Sequence, residues 1–362
     1  MNRNRMNKKR MGRARVLSRA AAGMLAAALC FQPMTALAGP AGDSSLTSSS
    51  SNAGPGGGSG SSNSGSTGSS GGSTSVSNGG VSAVTSGLGV YRVTENEGIG
   101  AIARGVDVSY WQQNVNWSQV ASDNVQFAML ATRFRGNVDP FFAMNAANAS
   151  QAGLRLGAYI YSYATSVEMA QQEADFVLNL IKDYPISFPV VFDAEDANTL
   201  GTLTQSQVSD VINAFCKRIQ DAGYYPMVYA NEYWIANKID MSKISYDIWV
   251  AKYQQKYTYS KTSMWQASNT GSVKGVNGNV DIDYLYKDYT QIIPGNTWRT
   301  IAGNRYYYQN HVMQKAAWIN DGQNWYYMNA AGNPSKGWLE LSGKKYYLEA
   351  DGHMITGWKT LD

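Results

Sequence analysis

Cysteine and histidine are nearly missing from this chain of 362 residues, which has two of each. Cys30 lies in an N-terminal head, beside Ala27, Ala28 and Leu29, a poor context for lipid attachment. That leaves Cys216 alone downstream and excludes an internal disulfide there. Cys216 falls among apolar residues at helical spacing and reads as core filler rather than a reactive thiol. His311 and His353 lie near the C-terminus, far in sequence from every acidic cluster. This argues against a Ser-His or Cys-His nucleophile, against amidase or endopeptidase chemistry, and against a histidine-built zinc site. Long apolar runs are missing too. Ala20 to Phe31 falls short of the ~20 residues a membrane helix needs, and no other segment approaches that length.

Those twelve residues follow a basic head (Arg3, Arg5, Lys8, Lys9, Arg10, Arg13, Arg15, Arg19) and precede Ala36-Leu37-Ala38, the small-x-small pattern of a cleavage site. Residues 1–38 are therefore expected to be a signal peptide cut before Gly39, giving an exported protein that keeps no membrane segment. The whole chain carries 30 basic and 26 acidic residues; without the eight basic residues of the head, 22 face 26, a net charge of −4. The apparent basicity belongs to the head, so nucleic-acid binding has no support.

Residues 39–97 are dominated by Gly, Ser, Thr and Asn, as in "GPGGGSGSSNSGSTGSSGGSTS". They bring too little apolar surface to offset ordering entropy and are expected to form a disordered linker. Residues 98–290 read as one globular domain. Apolar runs predict strands at 105–109, 127–132, 156–163, 188–193, 227–230, 248–251 and 264–266, with a last strand in "GNVDIDYL". A helix is predicted after Thr204, where Gln207 completes a capping box. Val208, Val211, Ile212, Phe215 and Ile219 keep the helical period, and Gly223 stands at the C-terminal cap. A second helix opens near Thr165 with Glu168 three residues on, and carries Ala170, Ala174, Val177 and Ile181 on one face. Strand-helix alternation predicts an α/β fold with a largely parallel sheet. A complete eight-fold barrel usually takes ~250 residues, so the expectation is an irregular (β/α) barrel.

Residues 291–362 change texture. Trp298, Trp318, Trp338 and Trp358 recur every 20 residues, and the pairs Tyr306/Tyr307, Tyr326/Tyr327 and Tyr346/Tyr347 keep the same step. Three such units predict a small all-β solenoid of stacked hairpins, with a Gly-containing turn after each Tyr pair.

The stretch "FPVVFDAEDANTL" ends an apolar strand in Asp193, Glu195 and Asp196. Alternation puts Asp193 and Glu195 on one face with backbones ~6–7 Å apart. Two neighbouring carboxylates push one pKa up, giving a proton donor beside a group that stays ionised, the division of labour glycoside hydrolysis uses. Asp107 in the first strand, and Asp281 with Asp283 in the last, would join them if the barrel closes.

In order, "GVDVSYWQ", "DPFFAMN", "GLRLGAYIYSYA", "VVFDAED", "IWVAKY", "WQAS" and "GVNGNVDIDYL" resemble glycoside hydrolase family 25, the bacterial and phage N-acetylmuramidases (lysozymes). The resemblance covers about residues 104–285. It implies cleavage of the β-1,4 bond between N-acetylmuramic acid and N-acetylglucosamine in peptidoglycan, with no metal or organic cofactor. Glu195 would be the general acid. Asp193 would be either a nucleophile or the carboxylate that steadies the substrate's own acetamido group as it attacks. Asp107 and Asp281 would tune the pair and bind the sugar, with Asp283 in reserve. Tyr159, Tyr161, Tyr229, Tyr253 and Trp265 match groove-lining positions. The family commonly has a basic residue where Ala131 stands; either Arg133, on the same face, substitutes for it, or the acidic mouth lacks one partner.

The C-terminal units resemble choline-binding cell-wall repeats of Gram-positive surface proteins, which would make Trp318, Trp338, Trp358, Tyr327 and Tyr347 wall-ligand contacts. Cell-wall polymer, such as choline-bearing teichoic acid, would be the second partner beside peptidoglycan, and the protein would be secreted or wall-associated. The rival reading is a surface protein that binds wall glycan without cutting it.

Overall fold

The computed structural model describes residues 74–76, 82–94, 98–253, 255–357 and 360. The expected signal peptide, most of the expected linker and Trp358 lie outside them.

Eight strands close a barrel in sequence order: β1 (Ala103–Val108), β2 (Phe127–Ala131), β3 (Arg155–Tyr161), β4 (Ile186–Asp193), β5 (Pro226–Asn231), β6 (Asp247–Ala251), β7 (Thr262–Gly271) and β8 (Val280–Leu285). β1 to β7 run parallel, and β8 is antiparallel to both its neighbours, β7 and β1. Helices α1 (Trp117–Ser122), α2 (Phe142–Gln151), α3 (Val167–Ile181), α4 (Gln205–Asp221) and α5 (Glu232–Asn237) fill the crossovers as far as β6. Among the described residues no helix separates β6 from β7 or β7 from β8. That is how an eight-stranded barrel fits a segment too short for eight crossover helices.

Each barrel strand is covered on both faces, which is why β2 and β4 read as continuous apolar runs. Alternation sorts their residues into two layers. Phe127, Met129, Phe188, Val191, Met227, Trp249 and Met264 fill the interior. Val106, Leu130, Ile160, Phe192, Val228 and Val250 pack outward among the helices. Interior room is tight. A Cβ on Gly157 would stand 2.4 Å from the Met129 sulfur and 2.9 Å from the Pro189 carbonyl oxygen. Gly157→Ala is therefore expected to cost about 1–3 kcal/mol by overpacking and lower Tm by about 5 °C in calorimetry; an unchanged Tm would mean the interior can yield there.

The cap of α4 is as expected: Thr204 and Gln207 form the box, and Gly223 takes a φ of 88°. Cys216 is fully buried on that helix. On α3 the cap is Ser166, one residue beyond Thr165, because its side chain reaches the Met169 amide while Thr165 points to the Met169 sulfur.

The linker expectation, which ran to residue 97, fails at its C-terminal end. Strands Thr74–Val76, Ser82–Ser86 and Gly89–Val93 form an antiparallel sheet. Tyr91 is buried in the layer around the barrel, and Leu88 packs against the interior residues. One aromatic and one leucine supply the burial that the Gly/Ser stretch before them lacks.

Beyond the barrel, three hairpins follow at the expected step. Thr297–Ile301 pairs with Asn304–Gln309, Ala317–Asn320 with Trp325–Met328, and Gly337–Leu341 with Lys344–Leu348. The turn closing each hairpin precedes the Tyr pair, because each Tyr strand pairs with the Trp strand before it. The glycine turns after the Tyr pairs, at Gly332 and Gly352, instead lead on to the next unit, held by the single bridges Met328–Pro334 and Leu348–Met354. The first hairpin docks on the barrel: Tyr308 Oη donates to the Lys182 carbonyl at 2.8 Å, and Ile301, Tyr306 and Tyr308 join the outer apolar layer.

Candidate active site

At the C-terminal ends of β1 to β7 lies a cleft of about 410 Å³ whose lining includes Asp107, Asp193, Glu195 and Asp281. Barrel closure makes this cluster. β8 pairs with β1 so that Asp281 stands directly opposite Asp107 and Asp283 opposite Gly105. Val191, Asp193 and Glu195 continue one inward face past the end of β4.

The third acid of that stretch has another job. Asp196 accepts from the amides of Asn198 and Thr199 and from the Tyr161 hydroxyl at 3.1 Å, so it caps the following turn and fixes Tyr161. Asp283 is fully buried beneath the cleft, where Trp249 Nε1 donates to its Oδ1 at 3.0 Å.

Crowded carboxyls out of water cannot all ionise. Burial, reinforced by Asp281 and Asp283, pushes Asp107 well above the usual carboxylate range. Burial and then the Glu195 charge do the same to Asp193. Glu195 is raised by burial and then by Asp281, and burial brings Asp281 up to about 6. The Glu195 charge is among the causes that raise Asp193, so the two titrate as a pair. Among the described residues no lysine or arginine forms an ion pair with any of the four cleft acids.

Arg133 does line the cleft, but it does not replace the basic residue missing at Ala131. Its Nη2 bonds Glu173 Oε1 at 2.6 Å and the Tyr161 carbonyl, and its guanidinium lies 4.7 Å from the Tyr163 ring centre. Glu173, on α3, also accepts from Ser162 Oγ and the Tyr163 amide. This buried pair braces β3 against α3. Arg133→Ala is expected to leave Glu173 short of its counter-charge and cost about 2 kcal/mol, less than a fully buried pair would. A drop in Tm of under 2 °C would contradict that.

Of the expected groove residues, Tyr159, Tyr161, Tyr229 and Tyr253 line the cleft and Trp265 does not. Trp265 packs outward against Tyr257 and Tyr284, with Nε1 on the Lys252 carbonyl. Its neighbour in "WQAS" faces inward instead. Gln266 Oε1 accepts from both Tyr229 and Tyr253 hydroxyls at 2.8 Å, and its Nε2 donates to Asp107 Oδ2 at 2.7 Å. One amide thus aims two phenols and one acid. Trp249, also unforeseen, lines the cleft with Tyr229 at 4.8 Å. Its signal was the alternation in "IWVAKY". A further aromatic lip comes from Trp111, 67% exposed, set edge-on to Phe134, which stacks on Tyr110 at 4.0 Å. Phe134 and Arg135 reach the rim only because residues 133–138 fold back as a short hairpin. Among the described residues no group of three or more His, Cys, Asp or Glu side chains is arranged to hold a metal ion.

In the hairpin series Trp318 meets Tyr327 at 5.4 Å and Trp338 meets Tyr347 at 5.3 Å, each across its own hairpin. Tyr346 of the following hairpin also contacts Trp318, at 4.9 Å, a role the sequence did not reveal.

The chain was compared with known proteins. The family model described as glycosyl hydrolases family 25 matches residues 106–276, and a cell wall binding repeat matches residues 317–333 and 336–354. The uncharacterized protein YegX of Escherichia coli (strain K12) is 31% identical over 189 residues, covering 49% of this chain and 68% of that protein. Lysozyme M1 of Streptomyces globisporus is 30% identical over 195 residues, covering 49% and 66%. The solved structure of a bacterial lysozyme from Streptomyces coelicolor is 25% identical, covers 53% of this chain and 95% of that one, and gives a TM-score of 0.43.

Proposed function

Because the chain belongs to glycosyl hydrolase family 25, and is thus a glycoside hydrolase, we propose that it cuts the β-1,4 bond between N-acetylmuramic acid and N-acetylglucosamine in peptidoglycan. The observation that carries this reading is the convergence of Glu195, Asp193, Asp107 and Asp281 in one cleft floored by aromatic rings, where among the described residues no lysine or arginine forms an ion pair with them. The faces of sugar rings are apolar enough to lie on Tyr159, Tyr229 and Trp249 while the acids work on the bond.

Glu195 gives its proton to the glycosidic oxygen as the bond from that oxygen to the anomeric carbon breaks. The carbonyl oxygen of the substrate's 2-acetamido group closes on the anomeric carbon, forming a positively charged oxazolinium ring. Asp193 accepts a hydrogen bond from the acetamido N–H and offsets that charge. Its Oδ1 is buried and has no protein donor, so it is free for this N–H. Positive charge appearing beside Asp193 lowers its pKa, so Asp193 stays ionised as the ring forms. Glu195, now a carboxylate, then takes a proton from the water that opens the ring. Gln266 steadies Asp107, and the Asp281 charge helps to keep Glu195 protonated.

The hairpins would hold the enzyme on insoluble wall through a cell-wall polymer such as choline-bearing teichoic acid; attachment raises local concentration, so weak contacts suffice. The natural setting would be export to the wall of a Gram-positive cell. Among the described residues no helix is long and apolar enough to cross a membrane. Digestion of purified peptidoglycan followed by mass spectrometry tests the bond. New N-acetylmuramic acid reducing ends are expected; freed stem peptides with intact glycan chains, or no cleavage at all, would overturn the assignment.

A further inference from the structure

The 20-residue step makes Arg305, Trp325 and Lys345 equivalent positions. The registers Thr300–Arg305, Asn320–Trp325 and Glu340–Lys345 lie one rung of the same face from the Trp–Tyr pairs 298–307, 318–327 and 338–347. Each of these residues therefore sits diagonally across from its hairpin's tryptophan, with ~7–8 Å between backbones, room for one cationic group between them.

In the first unit that room is taken. The guanidinium carbon of Arg305 lies 4.1 Å from the centre of the Trp298 ring, which Tyr307 flanks at 5.1 Å and Tyr326 of the next hairpin at 4.9 Å. Trp298 Nε1 donates to Asp321 Oδ2 at 3.1 Å, which fixes the indole under its cation. The second unit repeats the aromatic arrangement around Trp318, yet its diagonal position is Trp325, 45% exposed. Among the described residues no lysine or arginine lies over Trp318.

We propose that Arg305 is a built-in occupant of the first aromatic cage, so that ligand binding falls to the cage of Trp318, Trp325, Tyr327 and Tyr346, which takes an organic cation of the quaternary-ammonium class. A free cation gains little from each aromatic contact, whereas Arg305 is tethered beside its ring at an effective concentration in the millimolar range or above. Such a ligand does not displace it. The first unit acts instead as a joint. Its opposite face carries Arg299, buried with its guanidinium 3.9 Å from the Tyr224 ring centre and 4.3 Å from that of Tyr308. The cell wall binding repeat matches only from residue 317 onward, beyond this unit. The inference takes its ligand class from the wall-anchoring reading and is tested apart from it.

Choline chloride is titrated into the full chain by calorimetry. Arg305→Ala is expected to bind one equivalent more than wild type, and the gain to vanish in Arg305→Ala/Trp298→Ala. Trp318→Ala should lose an equivalent, and Trp298→Ala alone none. An unchanged stoichiometry in Arg305→Ala, or a loss in Trp298→Ala, overturns the proposal. Wild type alone offers a second readout by NMR: the Arg305 side-chain protons should be displaced upfield by the indole ring current, and ordinary shifts would refute the stacking. Co-sedimentation of wild type with purified walls reads the anchoring separately. No retention there, with a gained equivalent in Arg305→Ala, would sink the anchor and leave the occupied cage standing.

Discussion

Glu195→Gln is expected to clear bacterial walls about a thousandfold more slowly than wild type, within the ~10²–10⁴ range that a positioned proton donor supplies. The substitution keeps shape and polarity and removes only the transferable proton, so substrate binding should persist and the loss should appear in kcat. The pH profile separates this from damage to the site. Burial and the Asp281 charge raise the Glu195 pKa, so the wild-type enzyme holds its acid form above the usual carboxylate range. Activity should fall about tenfold per pH unit once pH passes that value, because the donor is then ionised. The Gln variant should lack this alkaline limb. Equal clearing by both proteins would remove Glu195 from the role of acid.

Asp193→Asn is expected to lower kcat by a similar order while making the protein more stable. A neutral amide can still accept from the acetamido N–H through its Oδ1, but it cannot offset the oxazolinium charge. Yet Asp193 is buried among acids, among the described residues no cation pairs with it, and its folded pKa lies well above the unfolded one. A carboxyl raised in this way favours folding while protonated, at pH below its unfolded value near 4, and that contribution is lost as pH climbs through the folded value. Asp281, raised to about 6, places part of this loss between roughly pH 4 and 6. At neutral pH the acidic mouth therefore opposes folding. Removing one charge should raise Tm by about 3–6 °C at pH 7, from relief on the order of 1–2 kcal/mol, and the gain should shrink toward pH 4. A Tm that falls at pH 7 would show that Asp193 is instead well paired. Catalytic sites often hold such stability–activity trade-offs.

The sequence alone determined the division into an α/β barrel segment and a 20-residue hairpin series, since strand and helix periods and the Trp/Tyr step are local. It also put Asp193 and Glu195 on one face, because alternation along a strand needs no partner. It could not tell which face of β7 looks inward. Both faces of a barrel strand are covered, so neither Trp265 nor Gln266 is marked by polarity, and only closure chose Gln266. Tertiary structure likewise set Asp281 against Asp107, committed Arg133 to Glu173, and laid Arg305 on Trp298. Each is a contact between residues distant along the chain or on opposite strands of a ribbon. Its energy depends on separation in space and on the water excluded there, quantities that a one-dimensional pattern does not contain.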